Sequence, residues 1–230
     1  MIKYLPLLST IVTLVFAGIV FGQYLSRRKP YQFVWAIALV IFAIATGSEF
    51  LGNVFGWSEA TYRSWYLCGA MFGVAYLALG TVYLLAPRRW AHIIAALLVL
   101  ASVYPTFRVL TAPVDMQLAL ASGTISGAGF PADVRLMTPF FNVFGTVVLV
   151  GGALYSAYVF WRRRTQGHMV LSNILIAGGA LLIAAGGAFS RFGIPELLFI
   201  SELLGIVVIF AGFLLSRQRH GDKIVSNQQT

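Results

Sequence analysis

The chain has 230 residues, 59% of them hydrophobic and 10% charged, with a mean hydropathy of +0.85 and a formal net charge of +9. No soluble single domain needs so much apolar material to build a core, and a closed barrel would show alternating stretches of about ten residues, so helices in lipid are the solution that remains. The basic balance would suggest nucleic acid for a soluble protein; here the charges fall between apolar runs, where they mark membrane topology, and a nucleic-acid partner is excluded.

Seven runs reach the roughly 20 apolar residues that a span requires: 4–25, 31–51, 62–85, 90–109, 139–161, 169–189 and 195–215. They predict an all-α integral membrane protein, a single seven-helix bundle over residues 1–216 followed by a polar cytoplasmic tail at 217–230, expected to be disordered. The first run follows a lone Lys3 and ends in Arg27, Arg28 and Lys29 instead of a small-residue cleavage site, so it reads as a retained span and not a signal peptide. The fourth contains Pro105, which removes a backbone donor and predicts a kink or an end there. The connection that follows, 105–138, is long, with Pro113, Pro131 and a glycine-rich, hinge-like run at 122–129. Within it Asp115 is placed to cap a short helix reaching Ala121.

Arg27, Arg28 and Lys29 follow the first run, Arg88 and Arg89 the third, Arg162, Arg163 and Arg164 the fifth, and Arg217, Arg219 and Lys223 the seventh. With seven spans these all fall on one side. The positive-inside rule makes that side cytoplasmic, so the N-terminus is expected outside and the C-terminus in the cytoplasm, and the asymmetry suits a bacterial cytoplasmic membrane. Trp35, Trp90 and Trp161 are then inner belt anchors, and Trp57 and Trp65 outer ones.

Helices associate in lipid where small residues let backbones approach. Gly18 and Gly22 give the first span such a face, Gly69, Gly73 and Gly80 the third, Asn173, Ala177, Ala180, Ala184 and Gly187 the sixth, and Ser201, Gly205, Val208, Gly212 and Ser216 the seventh. Residues 45–50 resemble residues 184–189 in a few small and apolar positions. Spans one to three also share directions with spans five to seven, which permits a three-plus-one-plus-three arrangement of parallel repeats.

The two stretches 46–65 and 190–205 face each other at the outer end and hold most of the acidic residues. Glu202 lies seven residues beyond Pro195, about 10 Å along a helix at 1.5 Å per residue, a depth where an ionisable group faces the bundle interior, a cavity or a partner. Glu49 sits near a helix C-terminus, where the dipole disfavours an anion and a cation must compensate. Arg63 and Arg191 stand at the ends of neighbouring spans, so Glu49, Arg63, Arg191 and Glu202 are expected to form one polar cluster for a ligand or for coupling, flanked by Thr46, Ser48, Tyr62 and Tyr66. The plainer alternative is a set of ion pairs locking helix ends together. Glu196, at a helix start, is explained as a first-turn acid. Asn142 and Asn173 are polar groups within spans that could contact a ligand or hold helices together.

His92 and His168 are interfacial and His220 is in the tail, with no Cys or carboxylate at metal-ligand spacing, so neither a metal nor a cofactor is expected. Cys68 reads as a packing residue. The lysines, Lys3, Lys29 and Lys223, all lie outside the spans, which excludes a retinal Schiff base. No phosphate loop, hydrolase elbow or zinc-protease motif occurs, and no catalytic pair stands out beyond Glu49 and Glu202. Three functions remain, in this order. The first is a bundle that binds, and in one version transports, a small molecule or lipid-like ligand through the outer cluster. Next comes a sensor or accessory subunit of a membrane complex, signalling through basic inner loops to a protein partner, a reading that the lack of an output domain after the last span permits without demanding it. Last is a membrane enzyme acting on a lipid.

Overall fold

The structure is a computed structural model describing residues 2–121, 123, 125–164, 167–191 and 196–217; the side chains of residues 2, 188–191 and 196 lie outside this description, as do Arg219, His220, Lys223 and the rest of the tail. The described residues are mostly helical, with no strand among them, and seven helices are long and apolar enough to cross a membrane. They run Leu5–Arg27, Pro30–Phe55, Glu59–Leu85, Arg88–Thr111, Ala132–Arg162, Gly167–Arg191 and Glu196–Arg217. Short connections make consecutive helices antiparallel. Arg27, Arg28, Arg88, Arg89, Arg162 to Arg164 and Arg217 therefore gather at one end of the bundle, opposite the long connection between the fourth and fifth helices.

Proline placement explains most helix starts. Pro6 and Pro30 occupy first-turn positions, where a missing N–H costs nothing, and Pro87 and Pro131 sit at the N-caps of the fourth and fifth helices. Ser58 opens the third helix with a capping box, its Oγ accepting from Thr61 N at 3.2 Å while Thr61 Oγ1 accepts from Ser58 N at 3.0 Å.

Two prolines lie inside helices. Pro105 neither ends nor breaks the fourth helix, which continues to Thr111. On either side of it Ser102 Oγ donates to Leu98 O at 2.7 Å and Thr106 Oγ1 to Ser102 O at 2.7 Å, each within the helix. The fifth helix does not begin at Pro139 but at Ala132, so Pro139 is interior and Asp133 lies in the first turn.

In packing order the helices run first, second, third, fifth, sixth, seventh and back to the first, closing a ring of six. Phe16, Val20, Leu39, Phe42, Leu77, Leu149, Ile206 and Phe213 fill it. The fourth helix stands outside, against the third and fifth, with Leu97, Leu100, Val103, Tyr104 and Phe107 exposed.

The long connection is folded down and not hinge-like where it is described. Asp115 Oδ1 caps the helix Met116–Leu120, accepting from Gln117 N at 2.9 Å and Leu118 N at 3.0 Å. Backbone bonds Asp115 N to Gly129 O and Ser126 N to Ala119 O, both 2.9 Å, turn the chain back on itself. Ile125 and Phe130 then bury against Tyr62 and Tyr66 of the third helix, with Val109 and Val134 beside them.

The glycine seams are partly as expected. Gly205 and Gly179 pack face to face: a Cβ on either would lie 2.6–2.7 Å from the other's carbonyl oxygen. Gly212 packs likewise on Ser172 O, and Gly186 on Ser201. The seventh-helix face is thus the expected one. On the sixth helix Ala177 and Ala180 are buried as expected, but the seam with the seventh helix runs Ser172, Ile176, Gly179, Ile183, Gly186, while Ala184 is exposed and Gly187 meets nothing. Gly18 and Gly22 also meet nothing, so they make no seam. Gly80 is where the Trp35 indole lies, donating to Leu77 O at 3.1 Å. Trp35 is therefore a packing residue and not a belt anchor, whereas Trp90 and Trp161 are exposed as anchors should be.

Candidate carboxyl site at the loop end

The second helix ends with Thr46, Glu49 and Asn53 on one face by helical spacing. Glu49 lies six residues before Phe55 and Glu202 six after Glu196, so each is about 9 Å inside its helix at 1.5 Å per residue, and because the two helices run in opposite directions both residues lie toward the same end. Their carboxyl groups face one another within hydrogen-bonding reach. Glu49 is 1% exposed. Glu202 is half-buried along its stem, yet its Oε2 is shut off from the surface, and neither Glu49 Oε2 nor Glu202 Oε2 has a conventional hydrogen-bond donor.

The other Glu49 oxygen is held by Trp65, whose Nε1 donates to Oε1 at 2.6 Å. Trp65 is buried, not an outer belt anchor as expected. An aromatic shelf fixes it: Tyr62 stacks on Trp65 at 5.8 Å and on Phe130 at 4.9 Å, and Trp57 meets Trp65 edge-on at 6.1 Å. Immediately after Trp65 the third helix widens into a π-helical segment, Tyr66–Phe72. Gly73 closes it, at a place where any Cβ would come within 2.9 Å of Cys68 O. Asn142 Nδ2 donates to Ala70 O at 2.9 Å within it. π-Helical turns of this kind occur often at functional sites.

Of the residues expected in one cluster, the structure brings together Glu49 and Glu202. Arg63 turns away: it pairs with Glu59 and donates to Val109 O and, at 2.8 Å, to Ala112 O, closing the end of the fourth helix whose last carbonyls need donors. The reason is angular, because two residues from Trp65 is about 200° round a helix. Arg191's side chain is outside the described residues. Tyr62 donates to Ser126 O at 2.8 Å and Tyr66 bonds Thr138 Oγ1 at 2.8 Å, so both serve the connection and the fifth helix. Ser48 bonds its own helix at Ile44 O, and Asn173 bonds Met169 O near the arginine-rich end. Thr46 joins Thr10 of the first helix at 2.8 Å, beside Ser9 and Thr13, both 0% exposed, extending a polar lane from the pair toward the bundle centre.

Trp65 is the contact that sequence reasoning missed. Its spacing from Tyr62 and its adjacency to Tyr66 put three aromatics on one inward arc, a signal that was present. Among the described residues no group of three or more His, Cys, Asp or Glu could hold a metal ion. No protein-family model matches the chain, and no curated protein or solved structure does so either. Function is therefore argued from the site alone.

Proposed function

We propose that this chain binds a small molecule at its loop end and carries it across the bilayer, with the Glu49–Glu202 pair at the centre of the binding region. The observation that carries this reading is the pair itself: two carboxyl groups inside the membrane-spanning part, on helices that are neither adjacent in sequence nor joined by a counter-charge among the described residues. Ionisable residues at such positions are costly, and they mark substrate and ion pathways. The polar lane through Thr46, Thr10, Ser9 and Thr13 gives the pair an inward continuation. By the positive-inside rule the loop end is the outer one, in a bacterial cytoplasmic membrane.

Native mass spectrometry of the protein released from mild detergent tests the binding half. A discrete adduct of small-molecule mass, lost in Glu202→Gln, supports it; a bare protein in every preparation removes it. Uptake of the identified molecule into liposomes tests the transport half.

A second reading, an accessory subunit, is favoured by one observation. Between the fourth and fifth helices lies an apolar groove of about 500 Å³, lined by Leu97, Leu98, Tyr104, Pro105, Phe140 and Phe141, which suits a partner's spanning helix. Co-isolation of a stoichiometric membrane protein would favour it.

A further inference from the structure

We infer that the carboxyl pair Glu49–Glu202 is a site for a single small cation, either a proton or a dehydrated alkali ion, held by both carboxyl groups. The inference rests on the binding reading above and deepens it by naming the charge and size of one occupant. Three observations lead to it.

First, Glu49 is 1% exposed and its Oε2 has no donor, while Oε1 is already satisfied by Trp65 at 2.6 Å. A buried carboxylate oxygen without a donor calls for a positive group, and Glu202, the carboxyl within hydrogen-bonding reach of Glu49, also has an Oε2 without a donor. Secondly, among the described residues the groups around the pair do not supply a positive charge. From the third helix the neighbour is Trp65, with Arg63 committed to Glu59 and to the fourth-helix carbonyls; from the first helix the polar groups are hydroxyls, with Thr10 on Thr46. On the second helix Glu49 is followed one turn later by Asn53, which is uncharged and whose Nδ2 is another buried atom without a partner. The side chains of Arg191 and Glu196 are outside the described residues.

Thirdly, the two carboxyls stand within hydrogen-bonding reach, which leaves no room between them for the body of an organic molecule. A proton fits, donated as O–H from one carboxyl to the other. A bare alkali ion can also be held beside the pair, touching an oxygen of each carboxylate, a donor set suited to hard cations. Both supply the same positive charge to the same pair.

The test uses the purified full-length protein in detergent. Its melting temperature is measured in sodium chloride against choline chloride at equal ionic strength, and its infrared spectrum is searched for the stretch of a protonated carboxylic acid. An alkali-ion site gives a rise of roughly 4 °C when sodium stands about tenfold above its dissociation constant. A proton site gives the carboxylic-acid band with no sodium response. Either result is expected to vanish in the isosteric double variant E49Q/E202Q. Absence of both in the wild-type protein overturns the inference, and needs no variant to fold; persistence of either in the double variant overturns it as well. A solute adduct without a cation response or acid band would remove the cation site and leave the binding reading standing. A cation response or acid band lost in the double variant, without any adduct or flux, would support the site and remove the transport reading.

Discussion

At the scale of single residues, the pair shows how much a charge's depth says and how little its partner can be guessed. Glu202 could be placed by counting from Pro195, because a helix rises uniformly and a buried acid must meet something. The guess that Arg63 meets it failed, since proximity in sequence to a helix end does not fix the angle round the helix. Trp65 was missed although its spacing from Tyr62 and Tyr66 put it on their inward arc, because a tryptophan near a span end reads first as a belt anchor. Replacing Trp65 with Phe keeps the ring and removes the N–H, leaving Glu49 Oε1 without its donor at 1% residue exposure. The expected loss is about 1–3 kcal/mol of stability, the range for orphaning a buried polar group, read by thermal or denaturant melting. Glu202→Gln is expected to shift ligand occupancy or melting, while Glu196→Gln, in the first turn of its helix, leaves both near wild type. Equal tolerance of the two changes would count against any special role for the pair.

At the scale of elements, seven helices were legible because lipid allows backbone groups no partner outside their own segment, so hydropathy and length nearly decide the matter. Boundaries and faces were less legible. Pro105 and Pro139 both lie inside helices, since a proline in a long membrane helix need not end it. The sixth-helix seam was misread because small residues occur on more than one of its faces. Two substitutions separate those faces. Gly205→Ala puts a Cβ 2.7 Å from Gly179 O and 2.4 Å from the Ile183 side chain, and is expected to cost about 1–3 kcal/mol through overpacking. Gly187→Ala meets nothing and is expected to be neutral or mildly stabilising. The π-helical segment had no signal in the sequence. Its bond from Asn142 to Ala70 O crosses between helices, and Asn142→Leu is expected to cost about 0.6 kcal/mol, the average for such bonds in membranes. A much larger loss would mean that Asn142 holds the π geometry itself.

For the whole molecule, the ring closes without the fourth helix, which leans on the third and fifth and is held at the loop end by Arg63 and by the Arg108–Asp133 ion pair. Arg63→Lys keeps the charge but lacks the planar fork that reaches Glu59 and two carbonyls together. It is expected to expose the connection around Met116–Leu120 to proteolysis sooner than in wild type, with the seven-helix core left intact on a gel. Cleavage at the wild-type rate would show that Asp133 and the Tyr62–Ser126 bond hold that end unaided.

The outlying position of the fourth helix carries a consequence for insertion. Three helices precede it and three follow, and it returns the chain to the end where the first half began its third crossing. Were residues 87–131 excised, the second half would have to enter the bilayer upside down. Arg162, Arg163, Arg164 and Arg217 would then be carried to the side opposite Arg27, Arg28 and Lys29, which charge asymmetry opposes. The fourth helix thus serves as a parity element, an odd crossing that keeps both halves of the ring right way up.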